Sequence, residues 1–179
     1  LRLVGSEMCI RDSFGFKEVP IKEKTYRVRK VFNSVATRYD LMNDLMSAGL
    51  HRMWKRVAIE TIAIRPGMQI LDLASGTGDL ARGMSRRAGS EGHVVMTDIN
   101  ERMLRVGRNK CIDNGELKGL SWCQCDAETL PYPNEAFDRV AIGFGLRNVT
   151  DKGAALREMH RILKPTGKAC LLYTSPSPR

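Results

Sequence analysis

The residues in this sequence whose types and spacing could do chemistry gather around one glycine turn and the apolar runs that follow it. Leu71-Asp-Leu-Ala-Ser-Gly-Thr-Gly-Asp79 carries an apolar run into the tight turn Gly76-Thr77-Gly78, and a helix-compatible segment follows. Glycines there let backbone amides approach a ligand at the helix N-terminus. Asp79 stands where the pyrophosphate of a dinucleotide would lie. Its charge repels phosphate and suits an ammonium. S-adenosylmethionine has an α-ammonium and a sulfonium and no phosphate, so the turn points to that cofactor and to methyl transfer. Asp72 lies inside the first run, where turn amides or the ligand's ammonium can satisfy it. Asp98 closes the second run and can accept both ribose hydroxyls. Asp126 closes the third and can accept from an exocyclic adenine amine, with the Ala127 backbone beside the ring. Each acid alone reads equally well as a helix N-cap or a solvated loop charge. Three acids at three consecutive run ends argue for a site. The rival reading is a nicotinamide or flavin enzyme, since Gly76-x-Gly78-x-x-Ala81 fits the dinucleotide fingerprint and Asp98 has the ribose spacing. Asp79 opposes it on charge, and Asp126 has no routine duty in it.

The elements that must hold these residues are legible as alternation. Apolar runs at Met68–Ala74, His93–Ile99, Leu120–Ala127 and Phe137–Leu146 read as strands. Helical segments at Asp79–Ala88, Glu101–Asn114 and Asp151–Leu163 separate or follow them, and Lys168-Ala169 opens a fifth strand after a Pro165-Thr-Gly167 turn. Alternating strands and helices predict a parallel sheet covered on both faces, with ligands beyond the carboxyl ends of its strands. Before Pro66-Gly67, the spacing of Val31, Val35, Leu41, Leu45, Met46, Leu50, Met53, Trp54 and Val57 is helical. The expected organisation is a helical cap over 14–66 and a cofactor-binding core over 67–169.

Both ends of the chain read as foreign. One stretch of DNA letters encodes Leu3 to Ser13, and its reverse complement encodes Cys170 to Arg179, an agreement that resembles a sequencing adaptor. We therefore expect 1–13 and 170–179 to be adaptor-derived and the segment between them to be a fragment. Fold reasoning sets such segments aside. The net charge of +9 hardly depends on them, because Arg2 and Arg11 cancel Glu7 and Asp12, leaving only Arg179. A basic balance suits a nucleic acid, an anionic membrane face or an acidic substrate. Cys111, Cys123 and Cys125 are an odd set without paired metal spacing, and Cys123 and Cys125 share a strand face. They read as buried thiols in a reducing compartment. No run of about eighteen apolar residues is present to span a membrane.

The fuller pattern resembles the C-methyltransferases of ubiquinone and menaquinone biosynthesis. Phe14-Gly-Phe16 is similar to their start, and Val31-Phe-Asn-Ser-Val-Ala-Thr-Arg-Tyr-Asp-Leu-Met-Asn-Asp-Leu-Met-Ser47 with Gly49-Leu-His-Arg-Met-Trp-Lys-Arg56 to their first signature. Asp98-Ile-Asn100, Met103-Leu104, Asp126-Ala-Glu128, Leu130-Pro131, Phe144-Gly-Leu-Arg-Asn-Val149 and Leu163-Lys-Pro165 continue it in order. The departures are Ser75 and Thr166, each where the family usually has Gly, and Gly143, where relatives can carry a cofactor-touching Ser. The resemblance implies a Rossmann-like class I methyltransferase with a mostly parallel sheet, helices on both faces, and its last strands missing from this sequence. Such a piece is expected to expose a sheet edge and to be inactive alone.

The resemblance also implies methylation of a ring carbon of a polyprenylated benzoquinol or naphthoquinol, aided by deprotonation of a phenolic hydroxyl. No base is unmistakable. Arg147 can stabilise a phenolate and Asn148 can orient a water, while the bland reading of Arg147 is a loop salt bridge. His51 and Tyr39 lie in the segment that would roof the cleft, and a packed or solvated histidine is the better reading of His51. Arg52, Lys55 and Arg56 around Met53 and Trp54 suit anionic headgroups, or equally a core stripe with a solvated basic face. The expected setting is the cytoplasm, peripheral on the inner membrane (a mitochondrial matrix in a eukaryote), with a quinone-pathway enzyme complex as a candidate partner. A nucleic-acid substrate is not expected, because the Asp/Asn-Pro-Pro-Tyr type of base-holding loop and an aromatic stacking series are both missing. It stays as the alternative, beside a non-catalytic accessory subunit of the same fold.

Overall fold

The computed structural model describes residues 11–14, 17–20 and 50–172. Tyr39 and most of the first family signature lie outside the described residues. Strands β1 (Arg11–Phe14) and β2 (Lys17–Pro20) form an antiparallel hairpin, with Arg11 opposite Pro20 and Phe14 opposite Lys17. Helix α1 (Leu50–Thr61) follows, then β3 (Gln69–Leu73), α2 (Asp79–Ala88), β4 (His93–Asp98), α3 (Glu101–Asp113), β5 (Leu120–Gln124), β6 (Phe137–Gly143), α4 (Lys152–Ile162) and β7 (Leu163–Leu172). The strands from β3 onward make one parallel sheet in the order β5-β4-β3-β6-β7. The strand order reverses between β3 and β6, which places the ligand crevice beyond their carboxyl ends.

Side-chain alternation along β3 assigns the layers. Ile70 packs into a cluster with Ala58 of α1 and Ile62 just after it, Leu80, Ala81 and Met84 of α2, and Leu104 and Cys111 of α3. Leu71 and Leu73 face the other way, onto Ala155, Met159 and Ile162 of α4. A strand buried on both faces has no polar side, as the apolar runs predict. Asp72 shares the Ile70 face and therefore lies beneath α2.

Two elements depart from the sequence-based expectation. The apolar run expected to continue to Leu146 stops as β6 at Gly143, because Phe144 turns into the left-handed region at φ 60. A short 3-10 turn, Leu146–Asn148, follows. At the other end, α4 stops at Ile162 and β7 begins at Leu163, so Pro165-Thr-Gly167 lies within the strand span rather than in a preceding turn. The pairing with β6 absorbs this: Phe137 sits opposite Leu163, and the next pair is Arg139 with Lys168. The proline thus falls where the ladder slips and no amide is required. Cys170 pairs opposite Ala141 in the same strand.

Helix α1 is tied to the sheet by a buried cation. Arg139 of β6 donates to the carbonyls of Ile62 (2.8 Å) and Ala63 (3.4 Å) at the C-terminal end of α1. Those carbonyls have no partner within the helix, and positive charge is favoured there.

Candidate functional site

A cleft opens at the carboxyl ends of β3, β4, β5 and β6. Six of the residues singled out in the sequence line it: Gly76, Asp98, Asp126, Ala127, Arg147 and Asn148. Asp72, Thr77, Gly78 and Asp79 lie next to that lining rather than in it. They form the backing of the glycine turn instead.

The turn is built by close packing. Gly78 has φ 81, and a Cβ there would meet the Met96 side chain at 2.2 Å. From the other side, Gly107 of α3 brings that helix so near the turn that a Cβ would lie 3.0 Å from the Thr77 backbone. Two non-glycine residues, Ala74 after β3 and Phe144 after β6, also hold positive φ, 53 and 60. They are the first residues beyond the two strands at the reversal point, and both line the cleft. Backbone held in sparsely populated regions concentrates at functional sites. Gly145 completes the crossing, since its Cβ would sit 2.5 Å from that of Ala74.

Asp98 is held by the turn itself. It accepts from the amide of Gly76 (2.9 Å) through one oxygen and from the amide of Asn100 (2.8 Å) through the other. Burial nevertheless raises its pKa above the usual carboxylate value, the amides of Asn100, Gly76 and Ile99 opposing the shift. Each oxygen retains a lone pair for a diol beyond the amide it accepts. Asp126 accepts from the amide of Glu128 (3.0 Å), an Asx turn that fixes its carboxylate at the cleft wall. Glu128 is fixed in turn by the amides of Thr150 and Asp151, at 3.0 and 2.8 Å.

Asp72 is 1% exposed, and its Oδ2 has no hydrogen-bond partner. Burial pushes its pKa up to about 8, against the favourable effects of the Ala81 amide of α2 and of Lys55. Asp79, the first residue of α2, has a cation from within the chain: its Oδ2 accepts from Lys55 Nζ of α1 at 3.0 Å. Arg147 is exposed, and among the described residues no ion pair holds it. The loop salt bridge considered from sequence is not found among the described residues. Cys123 and Cys125 are half-buried, and Cys125 reaches the cleft wall, where burial pushes its thiol up to about 12. It is an inert wall residue in that state, because the thiolate is the reactive form.

Sequence reasoning missed the apolar floor of the cleft. Ile99 is 41% exposed there beside Met103. An isoleucine directly after a strand-ending acid was the available signal, since a flat ring bound beside Ala127 needs an apolar partner. It also missed Lys55, whose pairing with Asp79 spans 24 positions and exists only once α1 packs on α2.

The residues present fit a cationic adenosyl ligand. An unpaired buried carboxylate oxygen, two carboxylates on the cleft wall and an apolar floor suit a ring, a diol and a positive charge. The glycine turn carries acids rather than a phosphate-binding cation.

The sequence matches the ubiE/COQ5 methyltransferase family over residues 20–178. The chain belongs to that family. It is 58% identical over 162 residues to the ubiquinone/menaquinone biosynthesis C-methyltransferase UbiE of Bordetella parapertussis, covering 90% of this chain and 62% of that protein. The chain thus spans less than two thirds of that relative's length. Among solved structures, the YcgJ protein from Bacillus subtilis is similar at TM-score 0.63 and 25% identity, over 67% of this chain and 50% of the other. A SAM-dependent methyltransferase from Aquifex aeolicus shares the fold at TM-score 0.61 and 22% identity, over 65% and 62%. The Rossmann-like reading of the sheet agrees with both.

Proposed function

We propose that this protein is an S-adenosylmethionine-dependent C-methyltransferase acting on a ring carbon of a polyprenylated benzoquinol or naphthoquinol in quinone biosynthesis. The observation that carries the reading is the cleft itself. Asp98 and Asp126 stand on one wall, and exposed Arg147, which forms no ion pair among the described residues, stands beside Asn148 on the other. Family membership supports the chemistry, and the UbiE relative supports the substrate class.

S-adenosylmethionine, when bound, supplies a methyl group on a sulfonium leaving group. Asp98 would take the ribose hydroxyls. Asp126 would take the adenine amine, with Ile99, Met103 and Ala127 enclosing the ring. Asp72 and Asp79 would favour the cationic end. On the opposite wall, Arg147 would hold a phenolic oxygen of the quinol as its anion, raising electron density at the neighbouring ring carbon. Asn148 would orient a water that accepts the proton. Arg147 and Asn148 would thereby prepare the ring carbon to accept the methyl group that the sulfonium supplies, and water held at Asn148 would take the proton which that carbon gives up.

The substrate class favours a peripheral position on a membrane in the cytoplasm or its equivalent. Exposed Met53 and Val57 on α1, with Arg56 beside them, support that position. The test of the function is incubation with methyl-labelled S-adenosylmethionine and a reduced quinone-precursor lipid extract. Label in the quinone fraction is expected; its absence despite cofactor binding would overturn the substrate reading. Arg147→Ala is expected to reduce turnover about 10²-fold with cofactor affinity intact. Unchanged turnover would remove Arg147 from the mechanism.

A further inference from the structure

Asp79 was singled out as a partner for an ammonium, and the structure gives it a cation from within the chain. Lys55 Nζ lies 3.0 Å from Asp79 Oδ2, joining α1 to the first residue of α2. Both side chains remain partly exposed, at 21% and 31%. The pair is therefore open to a ligand rather than sealed in the core. An ammonium has three donors, and this ion pair engages one of them. Ion pairs that stay partly exposed add little to stability, so stability alone is a weak reason for its placement.

Its neighbours give a better one. Lys55 also acts on buried Asp72, whose Oδ2 is unpaired, and Asp72 in turn feels Asp79 and Asp98. Lys55 thus acts on two carboxylates at one glycine turn, Asp79 and Asp72. Other cations nearby are committed or distant: Arg82 pairs with Glu116, and Arg147 stands across the cleft. Near neutrality the turn offers a ligand both acids and the Lys55 ammonium. S-adenosylmethionine at that pH carries a sulfonium, an ammonium and a carboxylate, one net positive charge. A site that met only the two cations would leave the ligand's carboxylate facing acids.

We propose that Lys55 and Asp79 form a clamp of opposite charges for the amino-acid end of the cofactor, Lys55 receiving its carboxylate and Asp79 its ammonium. The proposal rests on the reading of the cleft as an S-adenosylmethionine site and adds to it a residue from α1, outside the sheet. In the ligand-free protein the two side chains satisfy each other. The zwitterion inserts between them, exchanging one ion pair for two. Lys55 then determines specificity: it selects an intact α-amino acid over the same sulfonium and ammonium without the carboxylate.

Decarboxylated S-adenosylmethionine is the discriminating probe, because it differs by that one group. Affinities for it and for S-adenosylmethionine are measured calorimetrically with the full chain, as wild type, Lys55→Met and Lys55→Arg. Wild type is expected to prefer S-adenosylmethionine by at least about tenfold, the range of a charge-assisted hydrogen bond. Lys55→Met is expected to abolish that preference while binding the decarboxylated ligand as well or better, since Asp79 is freed. Lys55→Arg, which keeps the charge, is expected to restore most of it. A preference untouched by Lys55→Met would overturn the clamp and leave the cofactor reading standing, as would equal weakening towards both ligands. Failure of the wild type to bind either ligand would overturn the cofactor reading and the clamp with it.

Discussion

Asp72 is an acid in the middle of a buried strand, with one oxygen held by the Ala81 amide and the other unpaired. Its charged form is the costly one there, which gives a stability dependence of definite sign. The folded-state pKa, about 8, lies above the ordinary 3.8. The folded state therefore binds this proton more tightly, and the stabilisation is complete below the ordinary value and lost as pH rises towards about 8. Ligand-free protein is expected to melt at progressively lower temperature across that window. Asp72→Asn, which mimics the neutral acid, should flatten the profile; an equally steep profile in the variant would place the titration elsewhere. This residue illustrates what sequence can and cannot tell. An acid inside an apolar run marks a site because burial of a charge is expensive, so Asp72, Asp98 and Asp126 could be found by position. Whether each faces the cleft or the helix behind it depends on strand parity and helix packing. Asp98 and Asp126 face the cleft, while Asp72 and Asp79 back the turn. The left-handed Ala74 and Phe144 were not legible at all, since neither residue type announces a positive φ.

At the scale of elements, α1 is the part on which most depends. It supplies Lys55, contributes Ala58 to the core with Ile62 directly after it, and is anchored by Arg139 beneath its last turn. Arg139 is 7% exposed, so its removal would leave the buried carbonyl of Ile62 without a donor. Arg139→Met keeps the bulk and removes the donors. The variant is expected to lose about 2–3 kcal/mol in denaturant titration and to lose amide protection in α1 before the sheet. Uniform loss of protection would mean that Arg139 supports the sheet rather than the helix. The alternation of strands and helices was legible because each element has its own period. α2 could be bounded at both ends, by Asp79 after the glycine turn and by Gly89 after Ala88. β7 could not, because Pro165 and Gly167 signal a turn locally while the register slip against β6 tolerates them. The Arg139 anchor joins residues 77 apart in sequence, a contact no local pattern encodes.

For the whole molecule, the proposed substrate demands contact with a lipid phase, and the charge and surface of the chain offer a place for it. The chain carries +9 formal charges, which draws it towards an anionic surface at long range. Among the described residues no helix is long and apolar enough to cross a membrane, so the described part of the contact must be superficial. On α1, Met53 and Val57 are 51% and 47% exposed and lie four residues apart, hence on one face. Arg56 is exposed next to them, whereas Lys55 points to Asp79 of α2. Two apolar side chains entering the headgroup region would each contribute roughly 1.5–3 kcal/mol if fully buried, and each nearby basic residue about 1 kcal/mol. The protein is accordingly expected to sediment with phosphatidylglycerol vesicles at low salt and less well with phosphatidylcholine. Salt on the order of 0.5 M should weaken the electrostatic part, as the Debye length shrinks to a few ångströms. Met53→Asp with Val57→Asp should release the protein from vesicles without altering its melting temperature, since neither side chain is in the core. Sedimentation unaffected by the double change would move the contact off α1, and no sedimentation with anionic vesicles would remove the peripheral reading altogether. The same helix would then serve the cofactor alone, through Lys55. Retention of both functions on α1 would let the membrane surface fix the helix that closes one side of the cofactor's amino-acid end, coupling lipid contact to cofactor affinity through a single rigid element.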